Sequence, residues 1–194
     1  MSLSVDELRK TVSSLKKEGL NSQQIADELS LSQDTIAWLS SSNDGQEQPQ
    51  DVRIGWRTIG VRPIRTEAMA SIFADVLLEE LGDEGVDSIV GISLNGILFA
   101  NEIAKFLDVE VSIQRNIDGG PGQGALSNKY GQVNGKRIAI VDDVLSSGTT
   151  MRNTISMMRE MGAEVALCMV LVNKTQLNEI EEVPLRGIIR AVAV

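Results

Sequence analysis

Residues 137–150 read Arg-Ile-Ala-Ile-Val-Asp-Asp-Val-Leu-Ser-Ser-Gly-Thr-Thr. An apolar strand-like run ends in two adjacent carboxylates, Asp142 and Asp143. Small hydroxylated residues follow, and a helical pattern starts after them. The free N–H groups of a helix N-terminus attract a phosphate. Ser146, Ser147, Thr149 and Thr150 can add hydroxyl donors, and Gly148 lets the backbone approach closely. Two acids would repel a phosphate, so they are suited to something else: ribose hydroxyls, or a magnesium ion held between ribose and pyrophosphate. A plain N-cap turn after a buried strand needs one Asp and one Ser, and this stretch holds far more.

A second loop has the same context. Ser93, Leu94, Asn95 and Gly96 follow an apolar run at 88–92 and open a helical pattern. A Gly-containing strand-to-helix turn is common, so its position one strand–helix step before the first loop carries the weight. The elements that must position both loops alternate. The expected elements are a helix over 66–81, a strand over 88–92 and a helix over 96–107. A strand over 109–114 and a polar, Gly-rich stretch up to Gly135 come next. A strand over 137–141, a helix over 149–161, and strands over 165–172 and 187–194 complete the pattern, with a further short strand expected at 51–56. Such alternation predicts a parallel sheet flanked by helices, with ligands at the C-terminal ends of the strands.

Residues 1–40 have a different texture: three short helices, the second capped by Ser22 and running through Leu29, the third capped by Ser32 and running to about Leu39. Leu15, Leu20, Ile25, Ala26, Leu29, Leu31, Ile36 and Leu39 are spaced as the interior of a helix-turn-helix, with the turn at Ser30, Leu31 and Ser32. Glycine is often preferred at the position of Ser30. On the third helix Gln33, Asp34, Thr35 and Ala37 are expected to be exposed. Gln33 and Thr35 could read base edges, and Asp34 could accept from cytosine N4. Residues 41–50 contain no aliphatic or aromatic side chain and read as a linker. The expected division is 1–40, the 41–50 linker, and 51–194.

Composition narrows the choices. The chain has 194 residues, a net charge of −9 and no histidine, so an imidazole base, a His-based triad and a His-ligated metal are excluded. The negative charge opposes casual nucleic-acid binding. Residues 1–40 hold four cations against six acids, and Arg9, Lys10, Lys16 and Lys17 on the first helix are the candidates to grip phosphates, Lys16 and Lys17 at its end. A three-helix dimerisation module is the plainer reading of this segment. The single cysteine, Cys168, lies in an apolar run and reads as a buried thiol. No run is long and apolar enough for a membrane span, and no signal-peptide pattern is present, so a cytoplasmic protein is expected.

The stretch 137–150 resembles the signature by which type I phosphoribosyltransferases bind phosphoribosyl pyrophosphate (PRPP). The resemblance implies that fold, α/β with a parallel sheet flanked by helices, here preceded by a small all-α helix-turn-helix domain. It also implies that Asp142 and Asp143 bind the ribose hydroxyls, with Mg2+ entering as Mg-PRPP. Residues 146–150 would bind the 5′-phosphate, and Ser93, Leu94, Asn95 and Gly96 the pyrophosphate. Among the branches the match is closest to orotate phosphoribosyltransferases, whose mobile loop supplies cations as pyrophosphate departs. Here Arg115 matches that family's arginine, but Asn116 and Gly119 stand near its lysine positions. Asp118 has the wrong sign, and Lys129 is the lysine that remains. Arg115 and Lys129 are therefore the catalytic candidates if the chain turns over at all.

The order helix-turn-helix, linker, phosphoribosyltransferase-like domain with a depleted catalytic loop is similar to archaeal orotate phosphoribosyltransferase-like transcription regulators, including sugar-catabolism regulators of haloarchaea. The segments 170–174, with Lys174, and 184–190, with Arg186, resemble that group's C-terminal stretches. The resemblance implies a DNA-operator-binding homodimer that senses PRPP or a related phosphorylated sugar. The alternatives are an active phosphoribosyltransferase, most plausibly for orotate, and a protein-interaction adaptor.

Overall fold

Each N-terminal helix begins at a side chain that satisfies its first free N–H groups. Ser4 and Glu7 form a reciprocal capping box at α1 (Val5–Lys17), and the Ser4 N–H and hydroxyl hold the Glu7 carboxyl below its ordinary range. Asn21 and Gln24 do the same at α2 (Ser22–Leu29). The cap is thus Asn21, one residue before the expected Ser22. Ser32 caps α3 (Gln33–Ser40), as expected. Ser30 ends α2 in the left-handed conformation at φ 52°, without the glycine that usually occupies such a position. Val12, Ile25, Ala26, Leu29, Leu31, Ile36 and Leu39 bury a shared core.

The computed structural model describes residues 4–41, 49, 51–116 and 124–192. It divides into one unit up to Trp56 and a second, Arg57–Val192. Residues 51–56 form no strand and belong to the first unit, so the boundary lies beyond the expected residue 51. The reason is Asp51. Its Oδ2 accepts from the Ser32 N–H at 2.7 Å and from the Thr35 hydroxyl at 2.8 Å, which pins the chain at the start of α3. Arg9 acts at the other end of that helix. Its Nη1 donates to the Leu39 and Ser41 carbonyls, and the guanidinium stacks 4.8 Å from the Trp38 ring centre.

The second unit comprises α4 (Arg57–Gly60), α5 (Pro63–Leu81), β1 (Ser88–Gly91), α6 (Ser93–Leu107), β2 (Glu110–Asn116), β3 (Gly124–Leu126), β4 (Arg137–Leu145), α7 (Thr149–Glu160), β5 (Glu164–Asn173), β6 (Glu179–Ile180) and β7 (Val183–Arg190). The sheet order is β3-β2-β1-β4-β5-β7-β6. The five inner strands are parallel, and β3 and β6 are antiparallel edges. Ile138 and Ile140 pack with Met151, Ile155 and Met158 of α7. Strand alternation turns Ala139 and Val141 to the other face, where α5 and α6 pack, the Phe73 and Phe99 rings 5.2 Å apart.

Several elements differ in extent from the sequence expectation. Helix α5 starts at Pro63, which suits a first helical turn because it has no N–H to satisfy. Strand β4 continues through both acids to Leu145, paired with β5. The last strand covers Val183–Arg190, four residues earlier than expected, and follows a hairpin turn in which Glu181 and Glu182 both have positive φ. Arg159 holds that turn by donating to the Glu181 carbonyl at 2.8 Å. Arg186, on β7, bonds Glu80 of α5 at 2.6 Å and so has a structural task.

Replacing Asp51 by Ala removes a cap that acts on a backbone and a side-chain donor together. The expected loss is about 1–2 kcal/mol, read as a lower unfolding midpoint by circular dichroism of the full chain.

Candidate functional site

Strand β1 is followed by α6 and then β2 on one side, whereas β4 leads through α7 to β5 on the other. The connections therefore diverge between β1 and β4, and a crevice opens at their C-terminal ends. Both motif loops lie there. Beyond the pair Gly91↔Val141 the β1 side of β4 has no strand partner. The acids turn back on the backbone: the Asp143 N–H donates to Asp142 Oδ1, and the Val144 N–H to Asp143 Oδ1, each at 2.9 Å.

The two loops are latched together. The Ser93 hydroxyl donates to Asp142 Oδ1 at 2.6 Å, and Asn95 Nδ2 donates to Asp143 Oδ2 at 2.8 Å. Ser93 also accepts from the Gly96 N–H. This geometry requires a glycine at 96. A Cβ there would stand 2.7 Å from the Val141 carbonyl oxygen and 3.0 Å from Asp142 Cα. Ser93 itself has φ 60°, a sparsely populated conformation of the kind that clusters at ligand sites. The expected pyrophosphate loop is in fact the first turn of α6, and Leu94 on it is 78% exposed. Asp142 is 8% exposed and Asp143 half-buried.

Gly148, with φ 79°, is the N-cap of α7 and offers no side-chain cap, so the N-terminus of α7 opens on the loop of residues 146–150. Ser147 and Thr149 are exposed, their hydroxyls 3.1 Å apart. Ser146 and Thr150 are half-buried. One turn along, Arg152 donates to the Ser147 carbonyl at 3.0 Å and stands 3.5 Å from Glu181. Sequence reasoning passed over this cation at the loop's rim. The available signal was a basic residue four positions after the loop glycine. Hydroxyls, helix N–H groups and a guanidinium are all groups able to bind an anion.

The expected catalytic candidates are Arg115 and Lys129. Arg115 on β2 and Lys129 after β3 are exposed, and neither has a hydrogen bond or ion pair with either loop among the described residues. Asp118 and Gly119 lie outside the described residues. The acid pair alone is too small a donor set for a magnesium site. Among the described residues no group of three or more His, Cys, Asp or Glu could hold a metal. Two carboxylates can contribute to holding a magnesium ion whose other oxygens come from phosphates.

In the first unit Gln33, Asp34 and Ala37 are exposed on α3, as are Lys16 and Lys17 at the end of α1. Thr35 is a correction. It is 7% exposed and its hydroxyl bonds Asp51 and Ser32, so it builds the cap of α3 and cannot read a base. Arg9 is likewise occupied with the C-terminus of α3. Cys168 is buried, and desolvation pushes its thiol up to about 12 although Arg159 acts in the opposite direction.

Comparison with known proteins agrees with this architecture. The family model described as the phosphoribosyl transferase domain matches residues 55–188. The transcriptional regulator GfcR of Thermoplasma acidophilum is 38% identical over 190 residues, covering 96% of each chain. That of Methanosphaera stadtmanae is 35% identical, covering 91% of this chain and 92% of the relative. Orotate phosphoribosyltransferase from Aeropyrum pernix superimposes with a TM-score of 0.57 at 22% identity, covering 76% of this chain and 83% of the other. Adenine phosphoribosyltransferase from Saccharomyces cerevisiae does so with 0.59 at 18%, covering 84% and 97%. The second unit thus has the type I phosphoribosyltransferase fold. No helix among the described residues is long and apolar enough to cross a membrane.

Two outcomes follow from this geometry. Gly96→Ala should cost about 1–3 kcal/mol, because the Cβ meets backbone that cannot swing aside; the check is a lowered unfolding midpoint together with weaker ligand binding. Cys168 should resist a thiol reagent at pH 8 in the native chain and react fully in denaturant, since a buried thiol is kept protonated. Rapid native labelling would contradict that.

Proposed function

Starting from a chain that belongs to the GfcR family of transcriptional regulators, we propose that it binds DNA through its helix-turn-helix and takes PRPP, or a related phosphorylated sugar, as effector. The observation that carries the ligand assignment is the latched pair of loops. Asp142 and Asp143 are oriented beside a hydroxyl-rich helix N-terminus. Residues 146–150, with Arg152 at their rim, receive the 5′-phosphate. Asp142 and Asp143 accept from the ribose hydroxyls. The first turn of α6, Ser93 to Gly96, faces the pyrophosphate, and Mg2+ arrives with it. In this reading the bound ligand shares or displaces the Ser93 and Asn95 donors, and so moves the start of α6 relative to β4.

An effector of this kind changes operator affinity only by binding the two DNA-affinity states differently. A homodimer presents two helix-turn-helix modules to a two-fold operator. Gln33 and Asp34 are the base-reading candidates on α3. Catalysis is the second reading, and the fold likeness to orotate phosphoribosyltransferase favours it. Against it stands the cation-poor stretch after β2, where Asn116 and Gly119 stand near the lysine positions of the orotate phosphoribosyltransferases.

Calorimetric titration with Mg-PRPP, followed by orotate and an assay for released pyrophosphate, tests both readings. Binding without release is the expected result. Asp142→Asn with Asp143→Asn should weaken binding roughly 10- to 100-fold, as loss of charge-assisted bonds does. No affinity for PRPP or for ribose 5-phosphate would overturn the effector assignment. Steady pyrophosphate release would make the chain an enzyme.

A further inference from the structure

Helix α5 is charged the wrong way round for its own dipole. A helix favours acids in its first turn and bases in its last, and α1 obeys, with Asp6 and Glu7 at one end and Lys16 and Lys17 at the other. In α5 the first turn has no acid and the last turn no base. Arg62 precedes the helix and Arg65 lies in its first turn, whereas Asp75, Glu79 and Glu80 crowd its C-terminal half. Helix stability does not account for this order.

The charges share the outer face. At 100° per residue, Arg65, Ala68, Ile72, Asp75 and Glu79 fall within roughly 80° of arc, and all five are exposed. The opposite face, with Thr66, Ala70, Phe73, Ala74 and Leu77, is buried. Large aliphatic side chains stand among the charges: Ile64 is 67% exposed, Ile72 43% and Leu78 52%. The contacts Phe73–Phe99 and Glu67–Lys105 set α6 antiparallel beside α5. Leu94 and Leu98 of α6, themselves exposed, therefore fall near the Leu78 end and widen the apolar surface.

Other charges on this helix have partners: Glu80 pairs with Arg186 and Glu67 with Lys105. Arg62, Asp75 and Glu79 have no hydrogen bond or ion pair from their side chains among the described residues. Arg65 gives one bond, to the Thr58 carbonyl, and keeps further donors. Arg65 and Asp75 lie about 15 Å apart along the helix, too far to meet each other. A second copy solves this. A two-fold axis midway between Ala68 and Ile72 sets those two residues opposite each other, and the same rotation sets Arg65 opposite the partner's Asp75. Such an interface is self-complementary by construction, each contact occurring twice. It also places the two helix dipoles head to tail, each acidic end beside a basic one.

We propose that the outer face of α5 is the surface through which two copies of this chain pair, antiparallel about a two-fold axis, with Arg65 of each copy against Asp75 of the other. The pairing deepens the homodimer reading above and rests on it. It uses the larger unit alone.

Sedimentation equilibrium of the full chain over a concentration series reads the dimer dissociation constant. Arg65→Asp and Asp75→Arg should each raise it at least about 30-fold, because each places like charges at two symmetric contacts. Mixed one to one, the two variants should form a dimer of one chain of each kind, since both contacts then join opposite charges. A change that merely disturbed the fold would not be rescued in this way. Ile72→Glu should also weaken the dimer, and neither charge variant should rescue it. Circular dichroism should show unfolding midpoints near the wild type for all three, as the sites are exposed.

A wild-type dimer whose dissociation constant is unmoved by these changes overturns the α5 face and leaves the homodimer standing. Charge variants that dissociate but do not recover on mixing overturn the Arg65–Asp75 contact and the proposal with it. A wild-type chain that stays monomeric at every concentration overturns both the face and the homodimer.

Discussion

The larger unit depends on one close approach: the first turn of α6 lying against the end of β4. Gly96 stands where any side chain would meet the Val141 carbonyl oxygen, and that proximity lets Ser93 and Asn95 reach the two acids. The sheet order makes it possible, since β1 and β4 are neighbours whose connections run in opposite directions. Two adjacent carboxylates in a half-buried crevice repel one another and lose hydration. Four donors, two from side chains and two from backbone N–H groups, offset that cost. The crevice is thus held by the chain's own donors, and the rest of the unit, from the Phe73–Phe99 pair to the ends of α7, holds the two strand ends in register.

Much of this was legible because the chemistry is local. The strand, acid pair and hydroxyl loop occur within fourteen consecutive residues, 137–150, and each residue type has one sensible use there. Apolar periodicity gave the alternation of strands and helices, and capping chemistry gave the start of α3. What escaped depends on partners distant in sequence. Nothing around Asp51 says that it will cap a helix nineteen residues earlier, so residues 51–56 look like the opening of a sheet. Thr35 looks exposed by helical spacing until that carboxylate buries it. The hairpin at Glu181 and Glu182 was invisible because two glutamates are poor residues for positive φ. Its support, the Arg159 bond to the Glu181 carbonyl, comes from another element. Arg152 was missed for a related reason: a basic residue inside a helix is ordinarily a solvated one, and only folding sets it beside the loop.

Ion pairs recur over the surface of the larger unit. Four of its cations are engaged this way: Arg137 with Glu84 and Glu164, Lys136 with Glu110, Arg186 with Glu80, Lys105 with Glu67 and Glu102. These pairs are exposed and individually contribute little to stability. The glutamates around Lys105 push its ammonium further up from its usual range.

Asp51 stands near the end of the first unit. Because one carboxylate both starts a helix and fastens the chain that follows it, the first turn of α3 and the segment beginning at Asp51 cannot loosen independently. Slack in one is fraying in the other, a mechanical coincidence set by a single oxygen atom. Tension along the backbone would be felt first at the end of α3 carrying Gln33 and Asp34, the way a pull on a rein reaches the bit before the shoulder.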